Sequence, residues 1–172
     1  MSSFEQKRNK QVFEIIVILK IIYIILSMIA ISGFYNFNKE SNNVILIPVM
    51  FSAVLITMLV YFSWTVVYIK DKIDKPPTGN DYIETTMMLG IFILVMMTTG
   101  LENSGYKLLS IFIVLIGAIQ FGKNYSLGIA TVSTAIILLI DFIVIGPNKQ
   151  VLTQYFEKDL ILFSALFVTA FI

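Results

Sequence analysis

Gln120-Phe121-Gly122-Lys123-Asn124-Tyr125-Ser126-Leu127-Gly128-Ile129-Ala130 joins two apolar runs, 108–121 before it and 126–145 after it. Gly, a charge and small residues come together only here between those runs. If both runs are helices in an apolar phase, this stretch is the turn between them. The rest of the chain then has to be read as a membrane-embedded bundle.

Composition supports that phase. Of the 172 residues, 58% are hydrophobic and 13% charged, and the mean hydropathy is +0.88; a soluble domain carries about 25% charged residues. The apolar residues fall in blocks long enough to cross a bilayer. The chain has neither Cys nor His. Disulfides, thiolate or imidazole metal sites, Ser-His-Asp chemistry and phospho-accepting histidines are therefore excluded. No phosphate loop, metal-ligand cluster or basic nucleic-acid patch is visible, and Gly122-Lys123 lacks the flanking residues of a Walker motif. These residues call for no cofactor and carry no catalytic group.

Taken in order, residues 1–14 form a polar, basic N-terminal tail. Six apolar spans follow, forming a single membrane domain over 15–172: about 15–34, 44–69, 82–100, 108–121, 126–145 and 160–172. Twenty residues of helix cover about 30 Å, the thickness of the hydrocarbon core. Between spans, 35–43 is Asn-rich. Tyr61, Trp64 and Tyr68 suit an interfacial aromatic belt. Segment 70–81 is charged and then turn-like, with Asp81 a candidate N-cap and Glu84 three residues on, as in a capping box. Segment 101–107 reads as a tight turn, and 151–159 as a loop or short surface helix. The sixth span has thirteen residues, too few to cross, so it reads as truncated with the helix continuing beyond Ile172. The fold class is all-α, a polytopic bundle of about six transmembrane helices.

Orientation follows from the basic residues. With the N-terminus cytoplasmic, the inner segments hold Lys7, Arg8, Lys10, Lys70, Lys72, Lys75 and Lys123. The outer ones hold Lys39, Lys107, Lys149 and Lys158. Seven against four favours this arrangement under the positive-inside rule.

Ionisable residues inside apolar spans are functional candidates. Lys20 and Asp141 qualify, but they lie at opposite depths and cannot pair. Lys20, about 8 Å along its helix from Ile15, either snorkels to the inner head groups or pairs with Glu84 at similar depth. Asp141 is either an interfacial carboxylate or lines an outward cavity that senses a cation, proton or ligand. Ser126, Ala130 and Thr134 recur every four residues, with Thr131 and Ala135 parallel to them. Such rows let helices approach closely, here against Gly117 and Ala118 or across a dimer face. Met87, Met88, Met96 and Met97 read as adaptable packing.

The junction resembles a family. Ala118-Ile119-Gln120-Phe121-Gly122, a short polar turn, then Tyr125-Ser126-Leu127-Gly128-Ile129-Ala130 and a long aliphatic helix is similar to a hairpin in the multi-pass N-terminal membrane regions of bacterial sensor histidine kinases of clostridial and bacillar type. Gly117, Gly122, Ser126, Gly128, Ala130 and Thr134 are the expected helix-packing positions. The resemblance implies signal sensing and membrane anchoring for a two-component kinase, with lipid and a second copy of the chain as partners and no nucleic acid. The kinase module would lie outside this non-catalytic chain. Lys20, Glu84 and Asp141 are the candidate sensing residues. The alternative is the substrate-binding S component of an energy-coupling-factor vitamin transporter, also about six helices with Gly-containing junctions.

Overall fold

The computed structural model describes residues 3–38, 56–57, 60, 79–99, 104–145 and 149–171. Among them every regular element is helical: α1 (Ser3–Asn38), α2 (Gly79–Thr98), a 3₁₀ turn (Gly105–Leu108), α3 (Leu109–Phe121), α4 (Lys123–Ile145) and α5 (Lys149–Ala170). The expected span 44–69, apart from Ile56, Thr57 and Val60, lies outside the described residues, as does most of the charged segment after it. Among the described residues, three helices are long and apolar enough to cross a bilayer, through Gln11–Ile31, Asp81–Thr98 and Lys123–Ile143. Gly105–Phe121 is apolar but shorter. The chain divides into two compact units, Met1–Ile91 and Phe92–Ile172.

In the first unit, α1 runs without a break from the polar tail through the apolar span. The tail is therefore helical, and the loop expected from Tyr35 begins no earlier than the end of α1 at Asn38. The buried positions on α1 are Ile16, Lys20, Tyr23, Ser27, Ala30 and their neighbours Ile24 and Ile31. Steps of three and four residues place them on one stripe. Ile15, Ile18, Ile22, Ile25 and Ile29 face outward. Helix α2 starts at Gly79, so Asp81 sits in the first turn instead of capping it. A carboxylate there still faces the positive end of the helix dipole. Two bonds fix the register of the pair: Lys20 to Glu84, and the Tyr23 hydroxyl to the Met88 carbonyl. Moving three residues along α1 moves four along α2 in the same sense, so the helices are parallel.

In the second unit, α3, α4 and α5 pack against one another. The turn between α3 and α4 has shrunk to Gly122 alone. Its φ of 84° and ψ of 177° lie in a region essentially restricted to glycine. The Gly122 N–H donates to the Ala118 carbonyl (3.1 Å), and the Gly122 carbonyl accepts from the Ser126 N–H (3.2 Å). One residue thus closes one helix and opens the next, and Lys123 and Asn124, expected in the turn, belong to α4. Five residues from the turn, Gly117 faces α4 so closely that an added Cβ would lie 2.5 Å from Ile129 Cδ1. The absent side chain is what brings the helices together. The segment 151–159, expected as a loop or short surface helix, is the first half of α5. From Thr153 to Lys158 its side chains are exposed or half-buried, and Asp159 is buried. A helix accommodates both, so nothing interrupts the backbone ladder.

Gly128, expected among the packing positions, makes no packing contact within the unit. It is exposed, and a Cβ added to it would meet nothing within 4 Å. Gly122→Ala should therefore destabilise the fold by about 1–3 kcal/mol, the cost of a strained backbone conformation. Gly128→Ala should be neutral or stabilising by up to about 1 kcal/mol, from helix propensity. Reversible unfolding in mixed micelles measures both; equal losses would contradict the assignment of the turn.

Candidate functional site

Within each unit, several polar side chains are buried beside the apolar core, while many large apolar side chains face outward. Lys20, Ser27, Glu84, Thr85, Ser110, Ser126, Ser133, Asp141 and Asp159 are buried; Ile25, Ile29, Leu139, Phe142, Ile143, Ile161 and Val168 are exposed. Apolar outer faces of this kind are unusual for a chain in water. They suit a chain whose solvent is lipid, with its hydrogen bonds satisfied inside.

Two buried ionic groups stand out, one in each unit. In the first unit, Lys20 Nζ lies 2.7 Å from Glu84 Oε2, with both side chains nearly inaccessible. Lys20 does not snorkel. One turn further along, the Tyr23 hydroxyl donates to the Met88 carbonyl at 2.7 Å, and Ser27 Oγ donates back to the Tyr23 carbonyl at 2.8 Å. The pair is therefore flanked by satisfied polar groups, the condition under which burying charge is tolerable.

The second unit holds a three-membered cluster. Lys107 Nζ contacts Asp141 Oδ1 and Oδ2 at 3.1 and 3.2 Å, and Asp159 Oδ2 at 2.5 Å. The three residues come from the 3₁₀ turn before α3, the end of α4 and the first half of α5. Because these segments are antiparallel, all three meet at one end of the unit. Local bonds hold Lys107 in place. Its N–H donates to the Ser104 carbonyl, and its carbonyl accepts from Ser110 Oγ at 2.6 Å. Ser104 Oγ in turn accepts from the Tyr106 N–H and shares a 2.6 Å hydrogen bond with Thr99 Oγ1. At the opposite end, Ser126 Oγ donates to the Ala170 carbonyl, and Lys123 Nζ lies 4.1 Å from the centre of the Phe171 ring. Helix α4 is pinned near both ends, and α5 at its middle and at its C-terminal end.

The sequence places Lys107 and Asp159 in polar connections; the structure keeps Lys107 in a turn, puts Asp159 inside α5, and buries both. Lys107 is 5% exposed and Asp159 7%. Asp141 is 4% exposed and held by Lys107. A signal for this pairing exists in the sequence. Lys107 precedes Gly122 by 15 residues and Asp141 follows it by 19. A hairpin closed at Gly122 brings them to within about a helical turn of the same level.

Asp141 also lines a half-open groove of about 480 Å³, together with Ala135, Leu138, Leu139 and Phe142 of α4 and Phe156 of α5. Elsewhere on α4, Ser133 Oγ and Thr134 Oγ1 are buried without a hydrogen-bond partner among the described residues. Thr131, Ser164 and Thr169 instead donate to the carbonyl four residues back. Of the expected packing residues, Gly117, Ser126 and Ala130 lie inside the unit, Thr134 is half-buried, and Gly128 and Thr131 are outside. Among the described residues no group of three His, Cys, Asp or Glu side chains could hold a metal ion. No protein-family model matches the chain, and no curated protein or solved structure is significantly similar to it.

Removing one member of a buried pair leaves the other charge uncompensated, which costs about 3–5 kcal/mol. Glu84→Gln should therefore destabilise the chain by that amount. Adding Lys20→Met should restore most of the loss, since no charge then remains to bury. Unfolding of the two variants in mixed micelles decides this; a double variant no better than the single would show that the pair is not the cause.

Proposed function

We propose that the chain is the membrane-anchoring and signal-sensing region of a bacterial two-component sensor histidine kinase, a six-span bundle with its N-terminus cytoplasmic. The observation that carries the reading is Asp159. It lies on the last helix and is held by Lys107, which Asp141 of α4 also contacts. A stimulus that alters the charge balance of this cluster acts directly on α5. Shifts of about 1–2 Å between packed helices are a recurrent form of signal relay.

Several features support the topology. The parallel pairing of α1 with α2 requires an intervening return of the chain, which the apolar segment 44–69 would supply. The antiparallel course of α3, α4 and α5 supports alternate crossings, with the Lys107 cluster at the outer face and Lys123 at the inner one. A chain without histidine accepts no phosphoryl group on one, so the kinase module of this reading lies outside these 172 residues. The hairpin closed at Gly122 is the element that resembles such sensors.

The alternative is the substrate-binding S component of a vitamin transporter. Among the described residues the groove beside Asp141 has one charged and five apolar lining residues, whereas a site for a polar vitamin calls for several convergent polar groups.

Proteoliposomes of the intact protein supplied with labelled ATP test the proposal. Histidine-linked label is expected, accumulating at a different rate in Asp141→Asn. Absence of label would overturn the kinase assignment, and an unchanged rate would overturn the role given to the cluster.

A further inference from the structure

We infer that Asp141 and Asp159 hold one shared proton against Lys107, and that its loss to water at the outer face releases α5 from α4. The cluster is then a sensor of external alkalinity. This deepens the sensory reading, on which its signalling consequence rests, by naming the stimulus.

A count of donors carries the argument. The Lys107 ammonium has three N–H groups, and it makes three contacts, with Asp141 Oδ1, Asp141 Oδ2 and Asp159 Oδ2. Asp141 and Asp159 are also hydrogen-bonded to each other. Ionised carboxylates only accept, so a bond between the two needs a proton that Lys107 does not supply. One carboxyl of the pair is therefore protonated. The cluster becomes an ammonium, a carboxylate and a carboxylic acid, with no net charge. Burial favours that balance, because two carboxylates side by side in a low-dielectric interior do not both ionise readily.

The other titratable groups around the cluster, among the described residues, are few. Helix α3, packed against both α4 and α5, contains no ionisable side chain. The 3₁₀ turn adds Tyr106, which is half-buried. On α5, Tyr155 is half-buried, Glu157 and Lys158 are exposed, and Lys158 Nζ lies 5.1 Å from the centre of the Tyr155 ring. Lys123 and Tyr125 stand at the far end of α4. Neither Glu157 nor Lys158 is buried with the pair.

The proton has a way out. The Asp159 side chain keeps 11% of its surface exposed, against 6% for Lys107 and Asp141. Asp141 lies four residues before the end of α4, about 6 Å by helical rise. When hydroxide takes the proton, the carboxyl O–H bond breaks, its electron pair stays on the oxygen, and the hydroxide becomes water. Two carboxylates then face one ammonium. Their repulsion acts between α4 and α5, the helices that carry them.

The test uses the chain in phosphatidylcholine nanodiscs, isotope-labelled on its aspartate carboxyls. Infrared spectra near neutral pH should show a protonated aspartic acid whose band disappears at alkaline pH. The band should be missing in Asp141→Asn and in Asp159→Asn, each of which leaves one carboxylate for Lys107. The chain has no Cys, so spin labels attached through Ile143→Cys and Ile161→Cys report the separation of α4 and α5. Both positions are exposed, at 75% and 79%. Their distance should lengthen by about 1–2 Å as the band is lost, and should not change with pH in either Asn variant.

No band near neutral pH, or a band that persists in either Asn variant, would overturn the inference. A band that survives while the helices separate would do so too, because Lys107 would then be the group that titrates. Loss of the band at constant distance would refute the release of α5. The sensory reading fails separately: band and distance would both respond to pH while phosphorylation of the intact protein would not.

Discussion

The second unit depends on a single ammonium group placed between two carboxylates on different helices. Lys107 reaches Asp141 and Asp159 from a 3₁₀ turn that Ser104 and Ser110 hold in position. In water such contacts are worth little, because solvent screens them and the side chains lose entropy. With both partners buried, each charge would be severely penalised if left alone. The cluster therefore specifies the register at which α3, α4 and α5 meet more than it adds net stability. An apolar interface of Ile and Leu could slide by a turn; three charges that must meet cannot.

The same logic sets the rest of the architecture. Where the exterior is aliphatic, hydrophobic burial contributes little to helix association, and close packing with internal hydrogen bonds takes over. Gly117 against Ile129, Ser126 on the Ala170 carbonyl and Tyr23 on the Met88 carbonyl are such contacts. Gly122 makes those between α3 and α4 reachable by turning the chain within one residue. The sensory proposal follows from this economy: a bundle held by a few polar contacts can be biased by a ligand that alters one of them.

Much of this was legible in the sequence because it depends on local patterns. Apolar run length marked the positions of the described helices, and the glycine at 122 marked the turn. Helix ends were less legible. Ser3–Asn38 absorbs the basic tail, and Lys149–Ala170 absorbs a polar segment, because a helix tolerates exposed charge wherever one face stays buried. The ionic cluster was half legible. Asp141 stood out in an apolar run, whereas Lys107 and Asp159 looked like ordinary loop charges. Their burial is a property of the start of α3, the end of α4 and the middle of α5 meeting, which residue-by-residue hydropathy does not contain. Gly128, an expected packing position, packs against nothing within the unit, because its rotation about α4 turns it outward.

The central claim is that Lys107 is the common counter-charge of α4 and α5. The most direct measurement is the unfolding free energy of Lys107→Met beside that of the triple variant Lys107→Met/Asp141→Asn/Asp159→Asn, in the same mixed micelles. The account predicts a loss of about 3–5 kcal/mol for the single variant. Most of it should be recovered in the triple variant, where no buried charge is left without a partner. A single variant within about 0.5 kcal/mol of the parent chain, the range of an ordinary surface substitution, would contradict it.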